Sequence, residues 1–189
     1  MKLLYSVIFS IIFCSSANAA IFPILWGPSS KKPIPQTSSQ SFPSVKGMNL
    51  EGDKFLLPGD LSAELNIVIV PFERTQQEDV NTWIEALDGF VANNKEIELY
   101  ELPTLKNFNL FMRLIINNGM RYGIDSKESR EHTITLYLDK ESFKSRLSIP
   151  NENQIQIFLI NQQGEIFWRE SGLANAQKIQ TLKSKIPML

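Results

Sequence analysis

The chain carries three hydrophobic periods in turn. Leu65 to Val70 (LNIVIV) is a near-continuous β-branched apolar run, the pattern of a strand buried on both faces. Val80, Trp83, Ile84, Leu87 and Val91 follow at helical spacing and predict an amphipathic helix. Thr75 and Glu78 stand at capping-box spacing before it, and Glu78 and Asp79 suit the positive end of its dipole. Ile97 to Leu102 alternates and stops at Pro103, a second strand. Leu105 to Asn118 predicts a helix with Phe108, Phe111, Met112 and Ile115 as its buried stripe and Gly119 as its stop. Thr133 to Leu138 is a third strand, and Asp139 caps a short helix reaching Leu147. Gln154 to Ile160 and Glu165 to Arg169 form a hairpin about Asn161-Gln162-Gln163-Gly164, and Leu173 to Ile186 closes the chain as a helix before Pro187. Ahead of these, Val45 to Leu50 and Lys54 to Leu57 flank Gly52 as a smaller hairpin. The order β-α-β-α-β-(α)-β-β-α predicts an α/β sandwich.

The segment before Val45 has no such periodicity. Lys2, the apolar run from Leu3 to Cys14, and Ala17 and Ala19 in small-x-small spacing read as an export signal cut after Ala19. The run is short for a membrane span, which needs about 20 residues, so retention as an anchor is the lesser alternative. Residues 20–44 read as a Pro/Ser-rich linker or arm, and residues 45–189 as the domain. Ile21 to Trp26 (IFPILW) is apolar enough to touch a membrane surface peripherally. The expected location is periplasmic or secreted.

Composition adds exclusions. With 19 Lys and Arg against 20 Asp and Glu, the net charge is −1. No clustered basic face marks nucleic-acid binding. Cys14, the single cysteine, lies in the segment expected to be removed, so no disulfide framework is available. One histidine excludes a histidine-built metal cluster. No cofactor and no metal site are expected.

Several strings narrow the fold. IVPFERTQQEDVNTWIEAL, YELPTL, NNGMRYGI and TITLYLDK together resemble the mitochondrial ATP-synthase assembly factors and their bacterial relatives, over roughly Val45 to Ile186. That resemblance, with the element order, implies a thioredoxin-like three-layer α/β sandwich with a central mixed sheet, lacking the redox cysteines. It also implies a role in assembling a membrane complex, through a protein partner it does not name.

In a thioredoxin the thiols sit where the helix follows the central strand, because the helix dipole stabilises a thiolate. Here that turn is Glu73-Arg74-Thr75-Gln76-Gln77-Glu78-Asp79, with no thiol. His132-Thr133-Ile134 also lacks the proline expected before the third strand. Both departures argue against thiol oxidoreductase or peroxidase activity, and no catalytic residue is assigned. Arg74, Gln76, Gln77, Glu78, Arg121, Arg130, His132 and Trp168 are the candidate binding residues. Arg121 and Arg130 are expected to converge near Arg74 and to pair with Glu73, Glu78 or Asp79, or else to hold an anion. Trp168 is either an interface residue or edge-strand packing. The first functional reading is a redox-inactive binding or assembly factor in the cell envelope. The alternative is a non-thiol enzyme or anionic-ligand binder using Arg74, Glu78, Arg121 and His132 around one pocket.

Overall fold

The computed structural model describes residues 40–186. The expected export signal, Cys14 and the apolar run at residues 21–26 lie outside the described residues.

The predicted core strand is the centre of the molecule. β3 (Leu65–Val70) pairs in parallel with β4 (Ile97–Glu101) and antiparallel with β7 (Gln156–Asn161), which pairs antiparallel with β8 (Ile166–Ser171). The order β4-β3-β7-β8 is a mixed sheet. A second sheet, β2-β1-β6-β5, joins β1 (Val45–Asn49), β2 (Lys54–Leu57), β6 (Ile134–Leu138) and β5 (Thr104–Lys106). The two connect through one extended run. β4 lies against β3, the chain passes Leu102 and Pro103, and β5 lies parallel to β6. Leu102 N donates to Ile69 O at 2.7 Å and Thr104 N to Pro71 O at 2.9 Å, while Leu136 N donates to Pro103 O at 2.9 Å.

Because β3 is buried at every position and apolar at all but Asn66, it feeds two cores. Ile67 and Ile69, with Ile157 and Leu159 of β7, pack under Val80, Trp83 and Leu87 of α1 (Gln77–Ala92) and Leu182 of α5 (Ala176–Lys183). Val68 and Val70, with Phe158 and Ile160, pack on the other side with Ile134, Leu136, and Phe143 of α4 (Lys140–Arg146). Three of the five predicted α1 stripe residues, Val80, Trp83 and Leu87, are fully buried. The amphipathic stripe thus faces the core as the spacing requires. Phe42 also belongs to this second core, edge-to-face with Phe143 and Phe158 at 5.8 and 5.9 Å. The packed unit therefore already includes residues of the Pro/Ser-rich segment before Val45.

Two glycines are required by close approach. A Cβ on Gly47 would sit 2.5 Å from Ile134 Cγ2, which lets β1 lie flat on β6. Gly164, at φ +84, turns the β7–β8 hairpin, and a Cβ there would sit 2.9 Å from Phe42 O.

The structure departs from the predicted pattern between residues 103 and 131. Residues 104–106 are strand β5, because β6 offers them hydrogen bonds that no local pattern reveals. The helix α2 runs Leu110–Gly123, and a short α3 (Lys127–Glu131) follows. More importantly, the predicted stripe of α2 does not face the core. Phe111 and Ile115 are 71 % and 50 % exposed, Leu110 and Leu114 are 77 % and 59 % exposed, and Tyr122 is 87 % exposed. The α2 residue that is buried is polar. Asn117 Oδ1 accepts from Tyr137 Oη at 2.8 Å, and Asn117 Nδ2 has no partner within the described protein. Arg113 stacks over the Tyr137 ring at 4.9 Å. Burial pushes the Tyr137 phenol up to about 12 despite that guanidinium.

Candidate functional site

The carboxyl ends of β3 and β4 open onto the start of α1, the position where parallel α/β frames place their sites. After Pro71 and Phe72 the chain makes a 3-10 turn, Arg74–Gln76, and enters α1 at Gln77. Gln76 is buried and both ends of its amide are used. Oε1 accepts from Phe72 N at 2.8 Å and Glu73 N at 3.3 Å, and Nε2 donates to Glu152 O at 2.6 Å. The reciprocal cap therefore lies at Glu73 and Gln76, earlier than the predicted Thr75–Glu78 pair. The 3-10 turn moves the helix start and takes the box with it.

Glu152 lies in the loop ahead of β7 and is gripped on its side chain as well. Lys140 pairs with it, Lys144 Nζ lies 2.9 Å from it, and Lys140 also sits 5.6 Å over the Phe72 ring. Burial alone raises the Glu152 carboxyl, but hydrogen bonds from Lys140 and Lys144 hold it below its ordinary value. The turn is thus tied across to the β7 loop by the Gln76 amide and by Lys140, which also donates to Phe72 O at 3.3 Å, while Lys144 holds the same loop to α4.

Beneath it is a residue that sequence reasoning missed. Glu101, at the end of β4, is buried, and burial pushes its carboxyl up to about 7, with the Gln77 amide bonded to it pulling the other way. The only signal in the sequence is an acid closing an apolar strand (IELYELP) on the face of Ile97 and Leu99, where its charge argues for solvent although the alternation does not. A carboxyl that titrates near neutrality can hold or release a proton there. Among the described residues no group of three or more His, Cys, Asp or Glu side chains is placed to hold a metal.

The position of the expected proline needs correction. The antiparallel neighbour of β3 is β7, and β6 pairs instead with β1 and β5. The loop facing the turn is therefore the one before β7, not His132-Thr133. It does contain a proline, Pro150, in the trans form, since the cis peptide among the described residues is Leu57–Pro58.

The arginines converge, but elsewhere. Arg121 Nη2 lies 3.0 Å from Glu51 Oε2 and Arg130 Nε 2.5 Å from Glu51 Oε1. Arg121 also donates to Leu50 O, and Arg130 to the carbonyls of Ile124 and Asp125. The hydrogen bond from Arg130 outweighs the opposing effect of burial and, with the charges of Arg121 and Arg130, holds the Glu51 carboxyl below its usual range. Neither arginine pairs with Glu73, Glu78 or Asp79. The β1–β2 turn reaches them first, because β1 lies beside β6. His132 Nε2 lies 3.1 Å from Glu98 Oε2, and its ring stacks 5.0 Å from Tyr100. Arg74 and Glu78 are exposed, and neither enters an ion pair among the described residues. Arg121 and Arg130 line a cleft with Asn118, Tyr122, Ile124 and Asp125, a lining that includes none of Arg74, Glu78 or His132. The four residues of the anionic-pocket reading therefore do not converge: Arg121 meets Glu51, His132 meets Glu98, and Arg74 and Glu78 stand exposed. Trp168 is half-buried and meets Trp83 edge-to-face at 6.0 Å, while Trp83 Nε1 donates to Gly172 O at 2.8 Å. In this frame it packs on Trp83 and keeps part of its ring exposed.

The profile of one family, described as ATP10 protein, matches residues 26–189. The chain belongs to the ATP10 family. This agrees with the resemblance carried by the four sequence strings, and supports a factor of the assembly type. No curated protein matches significantly. Solved structures show the fold. The thioredoxin domain of a thiol-disulfide oxidoreductase from Bacteroides vulgatus aligns at TM-score 0.53 and 14 % identity, covering 79 % of this chain and 97 % of that one. A putative electron transfer protein from Aquifex aeolicus VF5 aligns at TM-score 0.53 and 10 % identity, covering 78 % and 95 %. BsSco, a member of the Sco family of cytochrome c oxidase assembly proteins, aligns at TM-score 0.51 and 14 % identity, covering 78 % and 94 %. The fold of this ATP10 family chain is thioredoxin-like.

Proposed function

We propose that this protein is an exported, redox-inactive assembly factor of the cell envelope, which binds a subunit of a membrane complex without thiol chemistry. The observation that carries this reading is Gln76. It occupies the turn where a thioredoxin-like frame holds its thiols, and its amide is spent tying that turn to Glu152. A dithiol site needs an open, partly exposed sulfur at that point. The chain instead has a buried, fully bonded amide and no cysteine within residues 40–186.

Family membership supports the assembly role, and the amino-terminal segment supports export. The test has two arms. Purified full-length chain is expected to leave insulin disulfides and hydrogen peroxide unreduced in the presence of dithiothreitol or thioredoxin reductase, at rates equal to the blank. Photo-crosslinking in native membranes, with the probe at Arg74 or Gln77, is expected to trap a specific membrane-complex subunit. Turnover above the blank, or crosslinks matching those of a probe on the far face of α1, would overturn the reading.

A further inference from the structure

We propose that the outward face of α2 seats on an anionic lipid surface. At about 100° per residue, Leu110, Phe111, Leu114, Ile115 and Tyr122 fall within an arc of about 140°. All five are at least half exposed. Arg113, Ile116, Asn117 and Met120 take the inward side. The helix thus turns its most apolar face to solvent and rests a mixed face, two polar and two apolar residues, on the domain, unlike an ordinary surface helix. A contiguous exposed patch of this kind marks an interaction site.

Charge selects the occupant. From residue 102 to residue 124 there is no Asp or Glu, while Lys106, Arg113 and Arg121 are present, in a chain whose net charge is −1. Arg121 stands within the arc and pairs with Glu51, Arg113 lies on the inward side against Tyr137, and exposed Lys106 stands above the ring of Phe108 at 5.1 Å, so this region carries more cations than anions. An apolar face edged by cations and an aromatic is the composition of a helix lying in a bilayer interface, with phosphates meeting the cations. A helix of 14 residues is about 21 Å long, short of the roughly 30 Å hydrocarbon core, so it lies along the surface. No helix of the described residues is long and apolar enough to cross a membrane. No Asp or Glu stands on the arc itself to specify a basic protein partner. The placement does not depend on the assembly reading, and its test is read on lipid alone.

The experiment places an environment-sensitive fluorophore at Asn118→Cys, at the centre of the arc, in full-length chain carrying Cys14→Ser. Asp88→Cys, exposed on α1, is the reference position. Vesicles of equal parts phosphatidylglycerol and phosphatidylcholine are expected to blue-shift the label at position 118 and leave the one at 88 unchanged. Brominated acyl chains should quench the label at 118 only. Adding Phe111→Ser and Leu114→Ser should abolish the shift with the far-UV circular dichroism unchanged, since both side chains are exposed. A label at 118 that stays aqueous, shifts equally on pure phosphatidylcholine, or shifts despite the two serines would overturn the proposal. So would a shift at 118 seen only when a protein partner is added, without lipid.

Discussion

Glu101, at the end of β4, and Gln76, in the turn before α1, act in opposite directions. Glu101 keeps its proton to about pH 7 in the folded chain, against 4.5 for an ordinary glutamate. Between those values the native state binds more protons than the unfolded state. Stability therefore falls as pH rises through that window, and the whole penalty, on the order of 3 kcal/mol, is present above it. Glu101→Gln carries no charge to bury. Its melting temperature should exceed that of the parent by a margin that grows from pH 5 to pH 7.5 and then levels off; a constant margin would refute this. Gln76 contributes the other way. Gln76→Ala removes three hydrogen bonds and leaves Phe72 N and Glu152 O short of partners. Urea unfolding should show a loss of about 1–3 kcal/mol. Glu51 completes the residue scale. Its carboxyl is held low by Arg130 and Arg121, so its contribution is present above its unfolded value and is lost as acid titrates the folded group. At pH 4 and below, hydrogen exchange should quicken in α2 and α3, which Glu51 ties to the β1–β2 turn, before it quickens in β3.

Two helices of similar apolar content behave differently once their settings are compared. α1 has its stripe inside: Leu87 is fully buried, and Leu87→Ala should cost about 2–5 kcal/mol by thermal or urea unfolding. α2 has its stripe outside, and Phe111→Ala should change stability by no more than about 0.5 kcal/mol. Equal losses would mean that α2 is packed against something on its outer face. The β7–β8 hairpin depends on a backbone state. Gly164→Ala places a Cβ at positive φ and against Phe42 O, and should cost about 1–2 kcal/mol or more, because both the αL penalty and the contact fall on one atom.

At the scale of the whole molecule, an N-terminal hairpin and β6 extend the central sheet through the β4–β5 run, and this rearrangement separates the candidate residues. The same rearrangement turns the β7 loop, with Pro150 and Glu152, to face the α1 turn, and draws Arg121 and Arg130 toward Glu51 instead of Arg74. If that architecture carries binding without redox chemistry, loosening the β7 loop through Glu152→Ala, which removes the carboxylate that Lys140 and Lys144 hold but keeps the carbonyl that Gln76 meets, should alter crosslinking at the turn while insulin reduction stays at the blank.

The local pattern by itself determined the strongest elements. A near-continuous apolar run such as LNIVIV, broken only by Asn66, has no polar face to expose, so β3 is buried on both sides, and Val80, Trp83 and Leu87 share one face at helical spacing. The missing thiol is likewise a property of composition. The tertiary structure alone decided which face of α2 looks outward, since periodicity locates an apolar stripe but carries no sign for its direction. It decided that Thr104–Lys106 is a strand, because its hydrogen bonds come from β6, about thirty residues away. It also decided that Glu101 is buried, and where each arginine finds its carboxylate. Those outcomes depend on neighbours brought together by sheet order, which no local spacing encodes.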